Sequence, residues 1–267
     1  MPGDQALSVE GLRFETEGPV AIITIDRIAE QNRLSPAAII GLGRMADALR
    51  ARDDLHVVFI RGAGQEHFST GILNPQLRGS MSKDEVIRLV MEAGAVFDAV
   101  ESLPQIVVAG INGGVRAGGV ELALACDIRI AAGHVRMALP EAKWGGFPGA
   151  GGPLRLSRIV GRARALELIC TGREIDAAEM EKIGLIQKVV PAAEFDCALW
   201  DLVKQIAASG PLAVRGAKEI MAVSEEPGFK AARETSDALR QTLEWSSDVD
   251  EGILAHREGR VPRYTGR

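Results

Sequence analysis

Two glutamates in this chain differ from its other carboxylates by their surroundings. Glu121 lies in Gly118-Gly119-Val120-Glu121-Leu122-Ala123-Leu124-Ala125-Cys126, a run that is otherwise apolar. A buried strand, Ile106-Val107-Val108-Ala109, leads through a glycine-rich turn into that short helix. A helix start offers unpaired N–H groups and the positive end of the helix dipole. Gly118 and Gly119 would let a ligand approach those groups closely, which suits a developing oxyanion. A carboxylate on an apolar helix is costly to bury unless it is paired or functional. Spacing alone also admits a glutamate that complements the dipole beside an arginine. Glu141 ends a strand in Leu139-Pro140-Glu141 and opens a loop reaching Gly152. By itself it reads equally as a helix-start carboxylate. Glycines 149–152 read as a weak phosphate loop or as close packing at a helix start. A third segment, Gly62 to Leu73, says only that a loop follows a strand.

Composition bounds what these groups serve. The 267 residues are 46% hydrophobic and 25% charged, values of a globular chain of one to two domains rather than a disordered one. The net charge of −5, with both signs interspersed, argues against a nucleic-acid partner. Cys126, Cys170 and Cys197 lie too far apart for a CxxC metal site, and apolar neighbours suggest reduced core thiols in a cytoplasmic protein. Residues 1–14 lack the apolar core of a secretory signal, and no apolar run approaches a membrane span. GxSxG, HExxH, Walker A and GxGxxG motifs are absent, and the four histidines are isolated.

The elements that must position the glutamates alternate through the first half. Val20–Ile25, Val57–Ile60 and Ile106–Ala109 read as buried strands, followed by 128–130 and 135–139. Ser35-Pro36 marks one helix start, and Ser82-Lys83-Asp84-Glu85 resembles a capping box at another. After residue 150, amphipathic helices are expected over 153–171, 176–183, 192–209, 211–224, 228–244 and 248–257, with only 186–190 extended. The fold class is α/β, with a core over 1–192 and an all-helical region over 193–267.

Taken together, the three glycine-rich segments resemble the enoyl-CoA hydratase/isomerase (crotonase) superfamily. The resemblance rests on Gly-Ala-Gly-x-x-x-Phe-Ser-x-Gly at 62–71, Asn112-Gly113 through Glu121-Leu122-Ala123, Leu139-Pro140-Glu141, and Pro148-Gly149-Ala150-Gly151-Gly152 with Arg155-Leu156. Thr171-Gly172-Arg173, Val189-Val190-Pro191, Glu251-Gly252-Ile253 and the ending 262–267 continue it in order. The resemblance implies a (ββα)-repeat spiral core whose C-terminal helices serve oligomerisation, as a homotrimer or dimer of trimers. It implies oxyanion donors at the N–H groups of Ile72 and Gly118, and Glu121 and Glu141 as an acid–base pair. It implies an acyl-CoA thioester substrate, with Arg27, Ser69, Thr70, Gly71, Ile72 and Trp144 contacting it. No metal or separate cofactor is implied, since coenzyme A belongs to the substrate.

The expected reaction is addition of water to a 2-enoyl-CoA. An isomerase, lyase or thioester hydrolase of the superfamily is the alternative, and a non-catalytic acyl-CoA-binding or RNA-binding relative the more distant one. Several positions depart from the family pattern. Ala117 stands at the first place of the glycine trio, Leu73 where aspartate is common, and His256 where phenylalanine is common. Arg33 replaces a small residue. Arg116 replaces an apolar one, and is either a contact to a polar acyl group or a surface ion pair.

Overall fold

The computed structural model describes residues 7–225, 233–234, 237–238, 241–242 and 244–262. In chain order its elements are β1 (Leu12–Glu17), β2 (Val20–Ile25), α1 (Pro36–Arg50), β3 (Val57–Gly62), β4 (His67–Ser69), α2 (Pro75–Arg78), α3 (Lys83–Glu101), β5 (Ile106–Ile111), β6 (Gly114–Arg116) and α4 (Gly118–Leu124). There follow β7 (Ile128–Ala132), β8 (Arg136–Ala138), α5 (Gly152–Val160), α6 (Arg162–Thr171), β9 (Ile175–Asp176), α7 (Ala177–Lys182), β10 (Lys188–Val190), α8 (Phe195–Ala207), α9 (Pro211–Glu225) and α10 (Ser247–Glu258).

Two sheets result. The larger runs β1-β2-β3-β5-β7-β10 and the smaller β4-β6-β8-β9. Apart from the antiparallel pairs β1/β2 and β8/β9, all pairings are parallel. Each turn of the spiral places one strand in the large sheet, a short one in the small sheet, then a helix, as in β5-β6-α4. The central strands are near-continuous β-branched runs because helices cover them, the pattern expected of a parallel sheet. β1 differs: Leu12 and Phe14 point inward while Arg13 and Glu15 alternate outward. That short edge strand, and β4, β6 and β9, are not foreseen from the sequence. At two or three residues, the last three are too short for a periodic signal.

The helix starts follow local chemistry. Ser35 caps α1 with proline at the first turn, and Ser82 with Glu85 closes a full capping box on α3. The expected helix 153–171 is two helices, separated at Gly161, whose φ of 80° and ψ of 153° break the ladder. The expected helix 228–244 and the ending 263–267 fall largely or wholly outside the described residues. Helix α8 buries Phe195, Leu199 and Val203 against the large sheet, so the core's packing extends past residue 192.

The expectation of three core thiols needs correction: Cys126 is buried, but Cys170 and Cys197 are exposed. Their apolar neighbours face inward on helices that turn the cysteines outward. Burial pushes the Cys126 thiol up to about 12. A colorimetric thiol reagent at neutral pH is therefore expected to titrate two thiols in the native protein and the third only on unfolding. Three fast-reacting thiols would contradict this burial.

Candidate active site

The site forms where two loops meet almost without side chains. A Cβ built on Gly71, at φ +94°, would lie 2.7 Å from the Gly118 nitrogen. One on Gly118 would lie 2.7 Å from Ile72 Cγ1 and 3.3 Å from the Ile72 nitrogen. One on Gly119 would strike the Ser69 carbonyl at 2.4 Å. Only glycine permits this approach, and it brings the backbone N–H groups of Ile72 and Gly118 beside each other. Gly118 is the first residue of α4, so its N–H has no partner within the helix. Among the described residues, neither N–H is given to another protein group.

Asparagines hold these loops. Buried Asn112 accepts from the Gly62 N–H at 2.9 Å and donates to the Gly62 and Gly64 carbonyls at 2.8 and 2.6 Å. Asn32 donates to the Ala63 and His67 carbonyls at 2.9 and 2.6 Å. Ser69 accepts from the Gly71 N–H at 3.1 Å, Thr70 donates to the Gln31 carbonyl at 3.2 Å, and the Gly71 carbonyl accepts from Leu34 at 2.8 Å.

Glu121 is 3% exposed in the first turn of a helix buried on every side. Its Oε1 accepts the Gly152 N–H at 2.8 Å. Gly152 is held in turn by Arg155, whose wholly buried guanidinium donates to the Ala150 carbonyl at 3.1 Å and to Asp98 and Glu101 on α3. Gly151, at φ +115°, leaves room for that guanidinium, since a Cβ there would lie 2.0 Å from Arg155 Nη1.

Glu141 opens a 3₁₀ turn, Glu141–Trp144, that ends at Gly145 in the left-handed region. Helix α10 presses on this turn through glycine: a Cβ on Gly252 would meet the Trp144 backbone at 2.5 Å. The Trp144 and His256 rings meet edge to face at 6.0 Å.

Ile72, Gly118, Glu121, Glu141 and Trp144 line one cavity. Leu73, Val90 and Phe147 give it an apolar wall. Ser69, Thr70 and Gly71 are not among its lining residues and shape the turn before Ile72. Arg27 does not line this cavity; it donates to the Arg33 carbonyl at 2.9 Å beside Glu30. Arg116 pairs with Glu174 in solvent, the surface ion pair of its two readings. Sequence reasoning missed Arg78 and Asn74, which also line the cavity. Their signal was Asn74-Pro75, a cap and first-turn pair that puts Arg78 at the end of one helical turn.

Ala117 carries φ +49° and ψ −127°, a region a β-carbon disfavours, where glycine would be at ease. Such strain costs about 1–3 kcal/mol, while glycine's extra freedom when unfolded returns about 0.5–1 kcal/mol of it. Ala117→Gly is therefore expected to raise stability by about 1 kcal/mol in urea denaturation, and a loss of stability would refute the strain.

Comparison with known proteins places the chain in a family. The sequence model of the family described as enoyl-CoA hydratase/isomerase matches residues 15–267. Human mitochondrial methylglutaconyl-CoA hydratase is 34% identical over 270 residues, covering 100% of this chain and 79% of that protein. A carnitinyl-CoA dehydratase of Salmonella arizonae is 34% identical over 263 residues, covering 96% and 99%. The crystal structure of an enoyl-CoA hydratase from Bacillus anthracis superposes with a TM-score of 0.78 at 34% identity, covering 96% of this chain and 100% of that one.

Proposed function

Because this chain belongs to the enoyl-CoA hydratase/isomerase family, with a crotonase fold, we propose that it hydrates a 2-enoyl-CoA to a 3-hydroxyacyl-CoA. The observation that carries this reading is the convergence of two carboxyl groups, Glu121 and Glu141, and two backbone donors, Ile72 and Gly118, on one cavity. The thioester oxygen is received by the two N–H groups. Water held between the carboxyls attacks the β-carbon, and negative charge moves onto that oxygen. Each preorganised donor is worth roughly 3–4 kcal/mol to such an enolate. Glu141 is the principal acid–base group, taking a proton from water and returning one to the α-carbon. Glu121, steadied by the Gly152 N–H, holds the water. Acid–base work of this kind contributes about 10²–10⁴-fold.

No cofactor enters beyond the coenzyme A of the substrate. Ser69, Thr70 and Gly71 serve binding by shaping the turn that presents Ile72, and Trp144 bounds the acyl space. Among the described residues no helix is long and apolar enough to cross a membrane. Leu212, Ile220 and Met221 leave apolar surface exposed on α9, which supports association between copies, and the homotrimer or dimer of trimers is the assembly that the family resemblance implies. Light scattering is expected to give a mass of three or six chains, and a monomer would overturn that assembly.

Loss of the conjugated-thioester absorbance of crotonyl-CoA reports hydration directly. Glu141→Gln and Glu121→Gln are each expected to slow it by at least about 10²-fold while circular dichroism stays unchanged. Wild-type rates in both variants would end the assignment. A Glu121→Gln protein that still shifts double bonds would favour an isomerase.

A further inference from the structure

One cationic side chain lines the catalytic cavity among the described residues, and the reaction proposed above leaves it without a task. Arg78, at the end of α2, is largely buried. One of its nitrogens, Nη2, pairs with Glu244, itself 2% exposed. Among the described residues no acceptor takes its Nε or Nη1 hydrogens.

Arg78 is also a wall of a second cavity, lined by Lys83, Glu244, Asp250 and Arg257, which shares none of Ile72, Gly118, Glu121 or Glu141. It therefore stands at the margin of the reaction space. Helix α10 packs against both the Glu141 turn and α2. That puts Arg78 on the side of the glutamates, where the acyl chain must continue once its thioester oxygen sits on Ile72 and Gly118. Arg78 pairs with Glu244 and Lys83 with Asp250 at 3.0 Å, and Arg257 adds one more positive charge to the wall of the second cavity, while Glu121 and Glu141 carry the opposite sign in the catalytic one. An alkyl end seated here would strip water from the guanidinium and offer no acceptor in return. A carboxylate would accept from the unused fork, the arrangement at which arginine is strongest.

We propose that Arg78 sets specificity at the acyl end of this site, and that the substrate acyl group ends in a carboxylate. This deepens the hydratase reading and rests on its placement of the thioester. Apart from Arg78, Asn74 and the two glutamates, the cavity's lining is apolar or glycine, which suits a short chain between thioester and carboxylate.

Two unreactive thioesters of equal chain length, glutaryl-CoA and pentanoyl-CoA, separate the possibilities by calorimetric titration without any turnover. The wild-type protein is expected to bind glutaryl-CoA at least 10-fold more tightly. The double variant Arg78→Gln with Glu244→Gln removes both charges of the pair together, so neither is stranded. It is expected to bring the two affinities within about 3-fold while keeping that for pentanoyl-CoA, which also shows that the cavity is intact. Equal wild-type affinities, or a preference that survives in the double variant, would overturn the role of Arg78 and leave the hydratase reading standing. Failure to bind either thioester would remove both.

Discussion

Backbone touching backbone is the constraint on which this structure depends. Gly71, Gly118 and Gly119 let two loops close to distances that any β-carbon would forbid. The backbones of Ile72 and Gly118 thereby come side by side on one cavity. Donors of this kind need little reorganisation when charge develops, because the peptide planes are already fixed by their neighbours. The neighbours are the asparagines: Asn112 ties the loop after β3 to the end of β5, and Asn32 ties it to the segment before α1. Each meets buried backbone groups that would otherwise go unsatisfied.

Around this contact the carboxyls are placed by different devices. Glu121 rides on a helix with no exposed face and is steadied by a backbone N–H. That N–H is set by a loop resting on the buried Arg155, and Asp98 on α3 also receives Arg233 at 2.6 Å. A charge so deeply buried is tolerable only because its donors are taken up, by two carboxylates and a carbonyl. Glu141, by contrast, sits on a single 3₁₀ turn held from outside.

Much of this could be read from residue order. The β-branched runs, the capped starts of α1 and α3, and the placing of both glutamates in one cavity with Ile72 and Gly118 agree with the sequence. Those features are local, or depend on glycines whose spacing is itself the signal. What was unreadable is tertiary. The short strands of the second sheet owe their existence to partners, not propensity. Two of the three cysteines face solvent because helix phase, not neighbouring composition, decides exposure. Arg116, next to the glycine trio, turns outward to Glu174, whereas Arg78, unremarkable in its sequence context, faces the reaction space. Which of two arginines enters a cavity follows from the direction of a strand and a single helical turn, and neither leaves a trace in composition.

The seating of Gly252 on Trp144 and Gly145 also bears on how the molecule comes into being. The turn that carries Glu141 emerges from the ribosome well before the helix that braces it. Such distant contacts close late, because the intervening chain must first be ordered. A nascent chain can thus complete its sheet, and the contact of Gly71 with Gly118, while the turn that carries Glu141 still lacks its brace. Under the proposed function, that glutamate would be the last group of the site to be fixed in place.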